Sequence, residues 1–121
     1  MNRLPDISRA VFAGACLAMA AGAASAACRA IRFDPGATSA TVQGSAPAEG
    51  VECLRFGAGN GQTVQLSVKS PHDQVAFSID GVTDNRDQFS FKSRKQNYDV
   101  LMHQTMKAVA PVRYELTLSI R

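Results

Sequence analysis

Apolar residues recur at every second position along most of this chain. In one such run, Val64, Leu66 and Val68 alternate with polar residues, among them Gln65 and Ser67. Alternation with a period of two is typical of β-strands that bury one face. No stretch sustains a helical spacing of apolar residues, so no long helix is predicted. The clearest alternating runs are Ile31–Phe33, Leu54–Ala58, Val64–Val68, Val75–Ile79, Phe89–Phe91, Tyr98–Met102 and Val112–Ile120.

Turn-forming residues separate these apolar runs. Proline or glycine occurs in Asp34-Pro35-Gly36, in Ser70-Pro71 and in Asp80-Gly81, and such residues interrupt regular structure. Short strands separated by turns roughly every 8 to 12 residues are typical of a two-sheet sandwich. We therefore predict an all-β fold, an antiparallel β-sandwich of about 7–8 strands that forms a single domain over residues 27–121.

The glycine-rich stretch Gly57-Ala58-Gly59-Asn60-Gly61 looks like the beginning of a nucleotide-binding loop. In such a loop the glycines lead into a helix, whose N-terminal amides hold the phosphate. Here they lead into the alternating residues from Thr63 to Val68, which predict a strand. Glycine instead supplies the positive φ that a tight strand-to-strand connection needs. The stretch is predicted to be a turn.

The first 26 residues have the three parts of a secretory signal peptide. A basic start with Arg3 and Arg9 precedes an apolar run, and Ala24-Ser25-Ala26 then provides the small residues that a signal peptidase requires. The apolar run, at about 15 residues, is too short to span a bilayer. We predict cleavage after Ala26, export to the periplasm or the medium, and no membrane insertion of the mature chain.

The chain has three cysteines, of which Cys16 leaves with the signal peptide. Cys28 and Cys53 remain, and an exported protein experiences an oxidising compartment. We therefore predict a disulfide between them. Closing a loop of about 25 residues contributes about 3 kcal/mol on the chain-entropy model.

The net charge is small. The chain has 13 Lys and Arg against 10 Asp and Glu, and removal of Arg3, Arg9 and Asp6 with the signal peptide leaves a net charge of +2. Nucleic-acid-binding domains carry cations clustered over one face. No nucleic-acid partner is therefore predicted, although a modest basic patch that meets an acidic cleft is compatible with this charge.

Candidate catalytic and metal-binding residues are few. His72 and His103 are the only histidines and lie in separate segments, whereas a zinc site needs three or four converging ligands. Asp80, Asp84 and Asp87 lack the alternate spacing of a calcium loop, and we expect them in a long solvated loop. No serine lies in a GxSxG context. The chain is therefore predicted to be a non-enzyme with no metal and no cofactor.

The segment from Lys92 to Tyr98 carries three cations between two predicted strands. Two interpretations are open: a solubilising hairpin tip, or a protruding loop that enters a groove of a protein partner. Arginine and tyrosine are favoured anchors at interfaces, so Arg94, Lys95 and Tyr98 are the candidate contact residues. A second loop, Gln104 to Pro111, is unusually apolar for an exposed connection and is a candidate contact surface or cover for the core.

Several of these segments together resemble a known β-sandwich group. Residues 31–44, IRFDPGATSATVQG, are similar to its opening motif, and LRFGA at 54–58 with GQTVQLSV at 61–68 to its next element. Residues 88–91, 98–102 and 114–120 resemble its last three strands. The group includes the bacterial pre-peptidase C-terminal domain and the periplasmic inhibitors of g-type (goose-type) lysozyme.

A lone small domain behind a signal peptide is similar to the inhibitors rather than to the protease-appended modules. The resemblance implies a protein partner, g-type lysozyme, and occlusion of the enzyme cleft by a loop. Arg94, Lys95 and Tyr98, with Lys107 from the neighbouring loop, are the contact residues that it implies. The Ser-Gly-x-Tyr motif of the family reads Lys95-Gln96-Asn97-Tyr98 here, so that Tyr98 alone matches.

A different class of function stays open at this point. The chain could be a non-catalytic envelope module that binds another protein or a polysaccharide through a diverged contact surface. A sugar site is typically lined by exposed aromatic rings, and this chain has no tryptophan. Its Phe and Tyr residues nearly all alternate towards the predicted core, which disfavours the polysaccharide.

Overall fold

The computed structural model describes residues 27–106 and 108–121. The predicted signal peptide, residues 1–26, and the candidate contact residue Lys107 lie outside the described residues. Among those residues, no helix has the length and hydropathy needed to cross a bilayer. The described part of the chain contains nine strands: β1 (Arg29–Ala30), β2 (Ser39–Ala46), β3 (Glu52–Ala58), β4 (Thr63–Lys69), β5 (Val75–Ile79), β6 (Thr83–Arg86), β7 (Gln88–Lys92), β8 (Gln96–Gln104) and β9 (Val112–Ile120).

The strands form two sheets that face each other across one core. The five-stranded sheet has the order β1-β3-β8-β5-β6, and the four-stranded sheet has the order β2-β9-β4-β7. All pairings are antiparallel except that of the two-residue β1, which runs parallel to β3. The predicted fold class, an all-β and mainly antiparallel sandwich, is confirmed.

The core consists of the inward-facing members of the alternating runs. In β4, Val64, Leu66 and Val68 are buried, whereas Gln65 is exposed. Full burial of an aliphatic or aromatic side chain contributes about 1.5–3 kcal/mol, so the alternating pattern accounts for which face of each strand points inward. The largest fully buried side chains are Phe77, Leu54, Leu66, Ile79, Met102, Leu116, Leu118, Val64, Val75 and Val100.

Two strands lie where the sequence analysis predicted none. The segment Thr83–Arg86 was expected in a solvated loop, but it is the edge strand β6 and pairs with β5. Its side chains are mostly exposed, so no apolar alternation marks it. The strand β2 was missed because its inward positions are mostly small, including Ala40 and Gly44. The run Ile31–Phe33, conversely, lies outside the strands.

The predicted disulfide between Cys28 and Cys53 is present, with a Cα–Cα distance of 4.6 Å. It ties the first described residues to β3, next to the parallel pairing of β1 with the same strand. The bridge therefore fixes the beginning of the domain to the five-stranded sheet.

The connection between β7 and β8 does not form a hairpin. β7 belongs to the four-stranded sheet and β8 to the five-stranded sheet, so residues 93–95 cross from one sheet to the other. The interpretation of this segment as a simple hairpin tip is therefore wrong. The crossing places its residues at one end of the sandwich.

Candidate partner-binding site

Two connections between the sheets meet at the same end of the sandwich. The β3–β4 connection contains the glycine-rich turn, and the β7–β8 connection contains the cationic segment. The backbone N–H of Gly61 donates to the carbonyl oxygen of Ser93 at 2.7 Å. The N–H of Ser93 in turn donates to the carbonyl oxygen of Gln62 at 2.8 Å. We call residues 93–95 the contact loop and residues 59–62 the supporting turn.

Ser93 fastens the contact loop to the supporting turn with its side chain as well. It is 4% exposed. Its Oγ donates to the carbonyl oxygen of Gly59 and accepts from the N–H of Gln62 at 3.2 Å. A buried hydroxyl with both a donor and an acceptor partner costs little to bury and specifies one arrangement of the chain. Nothing in the sequence predicts this role of Ser93, since a serine at a strand end carries no local signal for it.

The supporting turn is held by its own internal hydrogen bond. Gln62 accepts a hydrogen bond through Oε1 from the N–H of Gly59 at 2.6 Å. Gly61 has φ +77°, a left-handed conformation that glycine adopts without steric cost. The predicted role of this stretch as a turn is confirmed. Because the turn is held by its own contacts, it provides a fixed base for the contact loop.

Tyr98 lies under the contact loop rather than on its surface. Its side chain is 3% exposed. The ring stacks on Phe56 with centroids 5.3 Å apart and meets Phe91 edge-on at 5.2 Å. The hydroxyl accepts a hydrogen bond from the N–H of Arg94 at 2.9 Å. A ring so placed does not touch a docked partner, so Tyr98 holds Arg94 in position instead of being an exposed anchor.

Arg94 and Lys95 are both exposed at the tip. Within the ranges that the structure describes, neither has an acidic side chain at salt-bridge distance; the ion pairs found there are Arg29–Glu52 and Arg55–Asp99. Lys92, by contrast, donates to the hydroxyl of Thr63 at 2.8 Å. The two tip cations are therefore available to an external acidic group.

A shallow groove of about 570 Å³ runs beside Lys95. Its lining is neutral apart from that lysine and includes backbone and amide groups that hydrogen-bond readily. The contact loop and the groove together form one polar, cationic surface at the end of the sandwich. The groove is lined by Gly57, Ala58, Gly59, Gln62, Lys95, Gln96 and Asn97.

The second loop that the sequence analysis named lies elsewhere. It follows the end of β8, whereas the contact loop precedes the beginning of that strand. Nine residues of strand extend over about 26 Å, so the residues that flank position 107, Met106 and Ala108, belong to the opposite end of the sandwich. The expectation that these two loops form one contact surface is not supported by this arrangement.

The arrangement of metal-ligating side chains gives no metal site among the described residues. One group, Cys28, Cys53 and Asp99, brings suitable atoms close together, but the two sulfurs are bonded to each other. Asp99 pairs with Arg55 at 2.7 Å. That hydrogen bond lowers the pKa of Asp99 and raises the pKa of Arg55.

The two histidines are far from the contact loop in the fold. His72 is exposed in a short 3-10 turn, Pro71–Asp73. His103 forms a hydrogen bond with Ser78 at 3.1 Å, and the Ser78 hydroxyl also accepts from the N–H of Asn85 at 3.0 Å. These bonds join β8, β5 and β6, so His103 and Ser78 have a structural role in the five-stranded sheet.

The protein is thus a small β-sandwich with a cationic loop fastened by hydrogen bonds at one end. No protein-family model matches the chain, and no curated protein matches it either. Solved structures do. The periplasmic inhibitor of g-type lysozyme from Aeromonas hydrophila, PliG, superposes with a TM-score of 0.64 at 21% identity, over 77% of this chain and 95% of the inhibitor.

Two further structures have the same fold. PliG from Salmonella Typhimurium, also a periplasmic inhibitor of g-type lysozyme, gives a TM-score of 0.61 at 18% identity, over 76% of this chain and 96% of that one. The pre-peptidase C-terminal domain of collagenase from Bacillus anthracis gives 0.54 at 14% identity, over 78% and 97% of the two chains. The sandwich architecture is thus shared by inhibitors and by a protease-appended domain.

Proposed function

We propose that this chain is a periplasmic inhibitor of g-type lysozyme that occludes the enzyme cleft with its contact loop. Two of the structural neighbours described above are periplasmic inhibitors of g-type lysozyme, and they are matched over nearly their whole length. Fold alone does not determine function, so the proposal depends on the geometry of the loop. No chemical step is involved, since binding alone blocks the substrate.

The observation that carries the proposal is a cationic tip held rigidly from below. Ser93 fixes the loop to the supporting turn, and Tyr98 fixes the backbone of Arg94. A loop ordered before binding loses little conformational entropy when it docks, and this favours affinity. Glycosidase clefts generally contain catalytic carboxylates, so exposed cations at the tip complement such a cleft.

The contact surface extends beyond the tip. Enzyme–inhibitor complexes bury roughly 1,600 Å² in total, which a three-residue loop does not provide. The groove beside Lys95 and the supporting turn supply adjoining surface, with Gln62, Gln96 and Asn97 as neutral hydrogen-bonding groups. In this arrangement Arg94 and Lys95 enter the enzyme cleft, and the groove on this protein contacts the rim of that cleft.

The altered family motif is compatible with this proposal. The family serine stands three residues before its tyrosine, whereas Ser93 stands five residues before Tyr98. The two side chains nevertheless both hold the loop, Ser93 through the supporting turn and Tyr98 through the backbone of Arg94. A hydroxyl anchor at a different spacing from the tyrosine therefore still supports a fixed tip. Lys107, outside the described residues, remains an untested candidate for a separate contact.

The experiment is lysis of a peptidoglycan suspension by g-, c- and i-type lysozymes, with and without an excess of the purified protein. We expect selective loss of g-type lysis. The double variant Arg94→Ala/Lys95→Ala should restore lysis. The matched control is Lys69→Ala/Arg113→Ala, which removes two exposed cations from strands of the four-stranded sheet and should inhibit like the parent.

Full lysis by all three enzymes at saturating protein would overturn the proposal. Mass spectrometry of the protein recovered from the periplasm tests the export step separately. A mature chain that begins at Ala27 supports cleavage after Ala26.

A further inference from the structure

The four edges of the two sheets differ in how they are protected. β1 has only two residues, one of them Arg29. β6 has four residues, among them Asp84 and Arg86, and its pairing with β5 is interrupted by a register shift. β7 has five residues and ends in Lys92. Short length, charge and irregularity are the features by which natural proteins keep sheet edges from pairing with other chains.

The fourth edge, β2, has none of these features. It runs over eight residues, Ser39–Ala46, with the sequence SATVQGSA. It contains no charged residue and no proline, and its register with β9 is continuous over all eight residues. An edge that is long, regular and uncharged is a template for the addition of another strand.

The register shows which backbone groups of β2 face outward. Ile120 donates its N–H to the carbonyl oxygen of Thr38 at 2.8 Å, in the same register as the pairs of β2 with β9. Because hydrogen-bonded and non-hydrogen-bonded pairs alternate in an antiparallel ladder, the even-numbered residues of β2 bond to β9. The N–H and C=O groups of Ser39, Thr41, Gln43 and Ser45 therefore point away from the sheet.

One outward carbonyl is already occupied. Arg29 donates through Nη2 to the carbonyl oxygen of Gln43 at 3.2 Å, and this agrees with the outward direction of that group. Within residues 27–106 and 108–121, no hydrogen bond reaches the outward groups of Ser39 or Thr41. The accessible part of the edge is therefore its first half, Ser39 to Val42.

We propose that this half of β2 pairs with the same strand of a second copy of the chain, in an antiparallel arrangement about a two-fold axis. Ser39 of each copy would form a hydrogen-bonded pair with Thr41 of the other, and the two pairs give about four backbone hydrogen bonds. The two four-stranded sheets would then join into one eight-stranded sheet.

We favour a second copy of the chain over a charged partner because β2 has no charged residue to attract one. Two-fold pairing also places each strand opposite an identical strand, which only an uncharged strand tolerates. Any charged residue near the axis would face its own charge, which destabilises a cross-strand pair. β2 carries no charge at all, so self-pairing meets no repulsion there. The pairing leaves Arg29 in place on Gln43. The contact ends of the two copies would point in opposite directions, so both contact loops stay accessible.

The test is analytical ultracentrifugation of the protein purified from the periplasm, from micromolar to millimolar concentration. A contact of one strand pair is small compared with stable interfaces, so we expect a dimer that forms towards the upper end of this range. A protein that remains monomeric at millimolar concentration overturns the proposal.

A proline at the edge distinguishes this interface from any other. Thr41→Pro removes an N–H that points outward and leaves the ladder with β9 intact, since proline is tolerated on edge strands in that orientation. We expect the dissociation constant of the dimer to rise about tenfold or more, because the N–H of Thr41 donates two of the four intermolecular hydrogen bonds. Thr41→Ala keeps the N–H and is the matched control.

Circular dichroism establishes that each variant is folded, and Ser39→Pro replaces Thr41→Pro if the latter is not. Equal dimerisation by the parent and the folded proline variant would overturn the proposal. The outcome is independent of lysozyme inhibition, since the contact loop is unchanged in all of these variants.

Discussion

The hydroxyl of Tyr98 accepts a hydrogen bond from the backbone N–H of Arg94 at 2.9 Å, and the carbonyl oxygen of Arg94 lies 3.4 Å from the same hydroxyl. A buried tyrosine therefore holds the backbone of an exposed residue that lies four positions earlier in the chain. Its stacking on Phe56 connects the tip of the contact loop to the core. The position of the Arg94 backbone thus depends on a buried side chain.

Tyr98→Phe should weaken inhibition while the protein stays folded. The substitution keeps the ring and removes only the hydroxyl, so we expect a loss of about 0.5–1.5 kcal/mol in unfolding free energy. Inhibition should fall by a larger factor than stability predicts, because the tip must then be ordered on binding. Urea unfolding and a g-type lysis assay measure the two effects. Unchanged inhibition by the folded variant would contradict the positioning role.

Ser93→Ala should destabilise the protein through unpaired backbone groups. The change leaves the carbonyl oxygen of Gly59 and the N–H of Gln62 without their side-chain partner. A buried group left unsatisfied costs about 1–3 kcal/mol. The exposed Ser90→Ala on the preceding strand is the control and should change the unfolding free energy by less than about 0.5 kcal/mol. Equal urea midpoints for the two variants would argue against the fastening role.

The alternation of apolar residues predicted most of the fold because burial acts on each strand locally. Val64, Leu66 and Val68 face the core as their spacing indicated. The edge strand β6 had no such signal, since a strand exposed on both faces needs only backbone pairing. β2 was missed for a related reason: its inward positions are small, and only its register with β9 defines it.

The candidate site was predictable only in its charges. Arg94 and Lys95 stand out in the sequence and are exposed in the structure. Ser93 gave no signal because its partners, Gly59 and Gln62, lie 34 and 31 residues earlier in the chain. Tyr98 followed the inward alternation of its strand, and that pattern determines its position more strongly than the preference of tyrosine for interfaces.

Alkaline pH should destabilise the protein through Tyr114. The pKa of Tyr114 is raised above its ordinary value of 10.0. Burial of the side chain is the larger cause, and the hydrogen bond that the hydroxyl donates to Glu52 is the second. The folded state thus holds this proton more tightly than the unfolded state. Protonated Tyr114 therefore makes its full contribution to the stability of the protein below pH 10.0, and this contribution is lost as the pH rises towards the folded-state pKa. Tyr114→Phe should show a shallower loss of stability in that window.

Phenolate absorbance measures this directly, because the chain has two tyrosines and no tryptophan. The difference between the titrations of the parent and of Tyr114→Phe gives the ionisation of Tyr114. Ionisation of Tyr114 at its ordinary pKa in the folded protein would contradict the prediction. The ion pair of Arg29 with Glu52, at 3.2 Å, remains in the variant and keeps the carboxylate partnered.

Acid should weaken the protein partly through Asp99. The hydrogen bond from Arg55 lowers the pKa of Asp99 below its ordinary value of 3.8, so the ion pair contributes stability above that pH and loses it as the pH falls through the folded-state value. The pair lies at the surface, so the effect is small. Asp99→Asn should reduce the fall in urea midpoint between neutral pH and strong acid, whereas the exposed Asp84→Asn should not. Parallel curves for Asp99→Asn and the parent would contradict this.

Loss of the disulfide should lower stability and leave the contact loop intact. The bridge closes a segment with a sequence separation of 25 residues, and its removal in Cys28→Ala/Cys53→Ala should cost about 3 kcal/mol on the chain-entropy model. Cys53 pairs with Leu101 near the end of β3 that is remote from the supporting turn. Inhibition at temperatures where the variant is folded should therefore match that of the parent. Dithiothreitol should shift the urea midpoint of the parent and not that of the variant, and an equal shift in both would mean that reduction acts elsewhere.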